Sequence, residues 1–187
     1  MRVISGLAKG TILYTLEGNA TRPTLDRVKE AIFNIIQMDI QDSVVLDLFS
    51  GSGALGIEAL SRGAKKAVLC DKSKSAIDII KLNLQKTHLE KNAIVLQEDY
   101  SRALNFLKNK YQFDLIFLDP PYKEELVKKS VEKIIHLDLL QKSGKIIIET
   151  DDEERILKEI ENLNVSITNL RKYGRVKVIF LNLDIEN

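Results

Sequence analysis

From residue 43 onward the chain alternates short apolar runs with longer amphipathic stretches. Ser43 to Phe49, Ala67 to Asp71, Ala93 to Gln97, Phe113 to Asp119 and Gly144 to Thr150 have strand length and are rich in Val, Ile, Leu and Phe, the pattern of strands buried on both faces. Helical segments separate them at Ala54 to Arg62, Ser73 to Lys86, Tyr100 to Asn109, Glu124 to His136 and Asp152 to Glu161, with Ser73 placed to cap the second. This succession predicts an α/β fold, a Rossmann-like doubly wound, mostly parallel sheet with helices on both faces. After residue 162 two further runs, Val165 to Leu170 and Val176 to Leu183, flank Arg171-Lys172-Tyr173-Gly174-Arg175. The seven-stranded sheet is therefore expected to end in an antiparallel hairpin.

The first 42 residues follow another pattern. Met1 to Ser5 and Thr11 to Leu16 read as two strands around a Gly6/Gly10 turn, followed by a loop with Gly18 and Pro23. Val28, Ala31, Ile32, Ile35 and Ile36 then recur at helical spacing from about Thr24 onward. The chain divides into a hairpin-plus-helix extension, 1–42, expected to dock on a main domain, 43–187.

Composition narrows the chemistry. A chain of 187 residues that is 44% hydrophobic has room for a sizeable core without disulfides. Cys70 is the one cysteine and His88 and His136 are the two histidines, so neither a disulfide framework nor a protein-built metal site is expected. No run of about 18 apolar residues and no signal-peptide core is present, which points to a soluble cytoplasmic protein, a monomer by default. Net charge is +1, but it is unevenly spread. Residues 1–29 carry Arg2, Lys9, Arg22, Arg27 and Lys29 against two acids, and 171–177 carry Arg171, Lys172, Arg175 and Lys177 against none. If these ends meet they form a basic face for a polyanion; otherwise they are scattered solvated charge.

After the first strand, Asp47-Leu48-Phe49-Ser50-Gly51-Ser52-Gly53-Ala54-Leu55-Gly56 places Gly51, Gly53 and Gly56 in a G-x-G-x-x-G turn between strand and helix. Asp71, ending the second strand, stands where a ribose-binding acid belongs. The same spacing serves dinucleotides. Asp47, expected to face the crevice, would repel a pyrophosphate but suits the cationic methionyl part of S-adenosylmethionine. Asp99 follows the third strand, where it could accept from an adenine amine or simply cap the next helix. Phe49, Lys72 and Tyr100, flanking these acids, complete the candidate cofactor set.

The fourth strand runs into Asp119-Pro120-Pro121-Tyr122. Two prolines make a stiff loop carrying a carboxylate, a free carbonyl and a ring, a receptor for a planar group bearing an amine. Asp119 and the Pro120 carbonyl can accept both amine hydrogens while Tyr122 stacks on the ring. Holding the nitrogen this way frees its lone pair for a methyl sulfonium and disperses the developing charge.

Together, Asp47 to Ala64 and Asp119-Pro120-Pro121-Tyr122 resemble the class I S-adenosylmethionine-dependent amino-group methyltransferases. Arg22-Pro23-Thr24 with Arg27-Val28-Lys29-Glu30-Ala31-Ile32-Phe33-Asn34, after the N-terminal hairpin, is similar to the bacterial family that methylates N2 of guanine 966 in 16S ribosomal RNA. The resemblance implies that Asp47, Gly51 and Gly53 line the methionyl side of S-adenosylmethionine, Asp71 its ribose and Asp99 its adenine. It implies that Asp119 to Tyr122 receive a flipped guanine of small-subunit RNA, and that the hairpin and the Arg22 loop grip phosphates. The alternatives are an adenine-N6 methyltransferase, a nicotinamide oxidoreductase on the same glycine turn, and a non-catalytic RNA-binding domain.

Overall fold

The computed structural model describes residues 1–16, 23–121 and 125–184. After the N-terminal segment come α1 (Pro23–Ile35), a short α2 (Gln37–Ile40), β1 (Val44–Asp47), α3 (Ala54–Ser61), β2 (Lys66–Asp71) and α4 (Lys74–Thr87). A 3₁₀ turn at Glu90–Asn92 leads into β3 (Ala93–Gln97), α5 (Tyr100–Leu107), β4 (Phe113–Leu118), α6 (Leu126–His136) and β5 (Leu140–Thr150). The chain ends its regular structure with α7 (Glu153–Ile160), β6 (Val165–Tyr173) and β7 (Val176–Leu183).

The strands form one seven-stranded sheet in the order β3-β2-β1-β4-β5-β7-β6. The first five pair in parallel, and β7 joins β5 and β6 antiparallel, as the sequence pattern predicts. Strand alternation sends side chains to two separate apolar layers. On one face Val45, Leu69, Leu115, Phe117 and Ile147 pack with Val28, Ile32 and Phe33 of α1, Ile57 of α3 and Ile80 of α4. On the other, Leu46, Cys70, Ile116, Leu118 and Ile148 pack with Leu104 of α5, Val131 of α6 and Ile156 of α7. Parallel pairing brings Asp47, Asp71, Gln97, Leu118 and Thr150 to a single carboxyl edge.

Two elements differ from the sequence pattern. The final hairpin does not have a five-residue connection: β6 continues through Arg171 and Lys172 to Tyr173, and Gly174, at φ +62°, and Arg175 alone make the turn. Glycine allows the tight two-residue connection that matches strand twist. At the other end, the two predicted N-terminal strands reduce to a single bridge, Arg2 with Ile12.

The reason lies in how that hairpin bonds to the domain. The Ile4 and Ser5 amides donate to the Glu58 carboxylate on α3, at 2.8 and 3.1 Å, instead of to a strand. Glu58 is fully buried and also receives Lys29 Nζ at 2.9 Å and Arg62 Nε at 2.7 Å. Lys29 is itself 3% exposed; burial lowers its pKa, and Glu58 opposes that shift. The Ala8 amide donates to Ser61 Oγ, the Leu7 amide to the Ser61 carbonyl, and Asn83 on α4 clips both main-chain polar groups of Tyr14. Gly6, at φ +81°, lies against the Ser61 carbonyl where any Cβ would collide. Side chains of α3 and α4 thus replace a neighbouring strand.

Candidate active site at the carboxyl edge of the sheet

A cavity of 580 Å³ opens at the carboxyl edge, lined by Leu48, Phe49, Gly51, Asp71, Lys72, Glu98, Asp99, Tyr100, Asp119, Pro120, Pro121 and Leu126. Nine of these are sequence candidates, brought together from the ends of β1 to β4 because all four strands point the same way. The Phe49 and Tyr100 rings, 6.0 Å apart and tilted, form part of its wall.

The glycine turn carries two distinct duties. Gly51, at φ +54°, faces open space: an added Cβ would meet nothing within 4 Å. Gly53, at φ +80°, and Gly56 instead lie against Leu69 of β2, where a Cβ would come within 3.0 and 2.9 Å of its side chain. Gly51 therefore keeps the cavity open, while Gly53 and Gly56 let α3 approach the sheet. Gly51 lines the cavity, and Gly53 stands behind it in the same turn.

Asp47 also departs from expectation. Its side chain does not face the crevice; it is 2% exposed and Oδ2 accepts the Gly56 amide at 3.0 Å. Burial raises its pKa to about 7, against the lowering effect of that amide, with Asp119 and Asp71 adding further increments. The turn folds back over the strand end and offers an α3 amide, and the carboxylate takes it.

The other acids do reach the cavity. Asp71 accepts the Gly51 amide on Oδ2 at 2.9 Å and the Ser73 amide on Oδ1 at 2.8 Å, so it fixes the turn as well as presenting its outer lone pairs. Asp99 caps α5, accepting from the Ser101 and Arg102 amides through Oδ1. The cap anticipated for Asp99 is thus present, on a residue that also lines the cavity.

Asp119 stands at the cavity mouth, open to solvent on one side, with Pro120 buried behind it and Pro121 exposed. Enclosure on its remaining sides raises its carboxyl to about 6. Glu149, half-buried near the end of β5, is pushed up to about 8, first by burial and then by the Asp119 charge. Sequence reasoning missed Glu149, and it passed over Leu48, Glu98 and Leu126 on the wall. An acid one residue before the end of an apolar run was the available signal for Glu149. Tyr122 and Arg22 lie outside the described residues.

The basic candidates separate into two groups. Arg2, Lys9 and Arg27 line one groove of 850 Å³ between the hairpin and α1, together with Asp26 and Glu30. Arg171, Lys172 and Arg175 belong to the β6–β7 hairpin and are not part of that groove. Lys172 is paired with Glu153 at 2.7 Å, which leaves it less free to meet another anion. Among the described residues no helix is long and apolar enough to cross a membrane, and no three His, Cys, Asp or Glu side chains gather as a metal cluster.

Residues 1–182 match the profile of a family described as "Conserved hypothetical protein 95". A protein of Bacillus subtilis named "Putative rRNA methyltransferase YlbH" is 43% identical over 93% of this chain and 94% of its own length. "Ribosomal RNA small subunit methyltransferase D" of Haemophilus influenzae is 37% identical over 84% of this chain and 82% of its own. Among solved structures, "Putative methyltransferase yhhF" from Escherichia coli superposes with a TM-score of 0.80 at 28% identity, covering 100% of this chain and 99% of that one.

Proposed function

Since the chain belongs to the family described as Conserved hypothetical protein 95, we propose that it transfers a methyl group from S-adenosylmethionine to the exocyclic N2 amine of a guanine in 16S ribosomal RNA, of the guanine 966 type. The observation that carries this reading is the single cavity in which Gly51, Asp71 and Asp99 share walls with the Asp119-Pro120 loop. The names of the two ribosomal RNA methyltransferase relatives support it.

The residues present fit the cofactor. The space beside Gly51 that a Cβ would enter is open, and the surrounding acids suit hydroxyls, an amine and a cation better than a pyrophosphate. Asp71 would hold the ribose, Asp99 the adenine amine, and Phe49, Lys72 and Tyr100 the flanks. Asp47, beneath the turn, acts on the methionyl side through Gly56 and its negative charge rather than by contact. S-adenosylmethionine supplies an electrophilic methyl on a sulfonium and leaves as S-adenosylhomocysteine.

Asp119 and the Pro120 carbonyl accept the two hydrogens of the target amine, with Tyr122 stacking on the base. The nitrogen is thereby turned out of conjugation, and its lone pair becomes available. With a pKa near 6 Asp119 is mostly ionised at neutral pH, able to stabilise the cationic nitrogen and take the proton it must lose. Arg2, Lys9 and Arg27 meet RNA phosphates on one side and Arg171, Lys172 and Arg175 on another, with Arg22 a further phosphate contact. The substrate is the small ribosomal subunit, and the protein acts as a cytoplasmic monomer.

Transfer of labelled methyl to undermethylated small subunits, naked 16S RNA and DNA, with nucleosides separated afterwards, tests the proposal. N2-methylguanosine on the subunit, absent with Asp119→Ala, is the expected result. N6-methyladenosine would keep cofactor and fold and replace the target base, and no transfer to any substrate would favour a binding module.

A further inference from the structure

Asp119 and Pro120 account for an exocyclic amine, but guanine and adenine both carry one. The bases differ at the neighbouring ring atom: N1 of guanine bears a hydrogen, and N1 of adenine a lone pair. Glu149 is placed to tell them apart. β4 and β5 pair Phe117 with Ile147 and Leu118 with Ile148, so Asp119 and Glu149 come next, on strands about 4.8 Å apart. Leu115, Phe117 and Ile147 point into the α1 layer while Leu118 and Ile148 point into the opposite one, so the alternation carries Glu149 onto the α1 side, and Asp119, the residue after β4, is near enough for its charge to raise the Glu149 carboxyl.

Among the described residues no side chain donates to either carboxyl, although the Tyr173 ring packs against the same layer. β7 faces Glu149 with buried Val178, and Val176 packs against the same layer. β1 adds only Asp47, one strand beyond Asp119 and one step lower, level with Phe117. α1 lays Val28, Ile32 and Phe33 on this face, while its Asp26 and Lys29 are turned to Arg2 and Glu58. Neither Asp119 nor Glu149 has a hydrogen-bond or cationic partner among the described residues.

We propose that Glu149 reads the base: its carboxylate accepts the N1–H of a guanine whose N2 amine lies between Asp119 and the Pro120 carbonyl. The inference rests on the methyltransferase function proposed for this site. Against the ionised carboxylate adenine would set its N1 lone pair, leaving two acceptors face to face, whereas the protonated carboxyl could donate to that lone pair, so the preference for guanine is carried by the ionised form. Glu149 holds its proton at neutral pH in the free enzyme, being near 8, whereas a donated hydrogen bond favours the ionised form. Guanine binding therefore breaks the Glu149 O–H bond and sends that proton to solvent, while the N1 hydrogen stays on guanine. KM for guanine should fall as pH rises toward 8.

Small subunits rebuilt on 16S RNA carrying guanine, 2-aminopurine or adenine at the target position test this. 2-Aminopurine keeps the N2 amine but has a bare N1. Above pH 8, where Glu149 is ionised, the wild type should favour guanine over 2-aminopurine by about 10- to 100-fold in kcat/KM, a preference that shrinks as pH falls, and Glu149→Gln should lose about that factor on guanine, chiefly in KM, and bring the two substrates level. KM on guanine should also lose its pH dependence in Glu149→Gln. Glu149→Asp, which keeps an acceptor on a shorter stem, should retain the preference with a raised KM, so the pair remains informative if one variant folds poorly. Cofactor binding and melting temperature are recorded for both. A folded Glu149→Gln that keeps the guanine preference and the pH-dependent KM, or a Glu149→Asp that treats the two substrates alike, overturns the role of Glu149 alone. Label on adenine N6 in the wild type overturns the guanine function itself.

Discussion

The two halves of the crevice treat their acids differently. Around β1 to β3 three carboxylates are tied to the main chain, Asp71 to Gly51 and Ser73, Asp99 to Ser101 and Arg102, Asp47 to Gly56, while Glu98 meets only Arg102, at 4.0 Å. Around β4 and β5, Asp119 and Glu149 have no such partner among the described residues, and both are harder to ionise than usual. Tied carboxylates hold a shape before anything binds. Untied ones in an enclosed place are relieved only by a donor from outside, and a base edge with its amine and ring N–H is such a donor. On the proposed function, one half serves fit and the other discrimination and chemistry.

Substitutions that cross this divide should separate binding from turnover. Asp119→Ala should lower kcat by about 10²- to 10⁴-fold with little change in S-adenosylmethionine affinity measured by calorimetry. Asp71→Ala should do the reverse, weakening cofactor binding about 10- to 100-fold because it removes the proposed ribose acceptor and releases Gly51, with RNA binding unaltered in a filter assay. Comparable losses in both assays for either variant would erase the distinction between the halves.

Asp47 combines the two conditions, tied yet deeply buried, and its effect should appear in stability. Its carboxyl binds a proton more tightly folded, near 7, than unfolded, near 3.8, so its contribution is full below about pH 4 and is lost as pH rises through 7. Asp47→Asn keeps an acceptor for Gly56 and has no charge to bury. Its Tm should lack this component of the decline between pH 5 and 8, and at pH 8 should exceed the wild type by about 2–4 °C for each kcal/mol relieved. The smallest effect lies outside both halves: Arg27→Ala should reduce the slope of log affinity for RNA against log salt by about one. An unchanged slope would place the RNA elsewhere than the α1 groove.

Much of the sheet was legible because parallel strands covered on both faces must be apolar without interruption, and Val, Ile and Leu runs have few other uses at that length. The glycine turn and the Asp119 loop were legible for a similar reason, since their conformations demand particular residue types. Asp47 was misplaced because an acid at a strand end carries no sign of which way the following turn will fold. The N-terminal limbs do pair, Val3 and Leu13 donating to Thr11 and Met1 across the turn, but their strands stop short because the Ile4 and Ser5 amides go to a side chain of α3, a partner that alternation around Gly6 and Gly10 does not reveal. Glu149 belongs to no recognisable string; its significance arises from register with β4, which no local pattern states.

The buried carboxylate of Glu58 makes the first forty residues and the sheet a single inheritance. Shortening the chain to begin at β1 would strip Glu58 of Lys29 and of two amides at once, leaving an acid in an apolar pit with Arg62 alone, a loss of the order of 3–5 kcal/mol for a broken buried pair. The arm is therefore not an attachment that can be exchanged among sheets of the same architecture. An arm without Lys29 would need a helix beneath it without the acid, so the two can change only together.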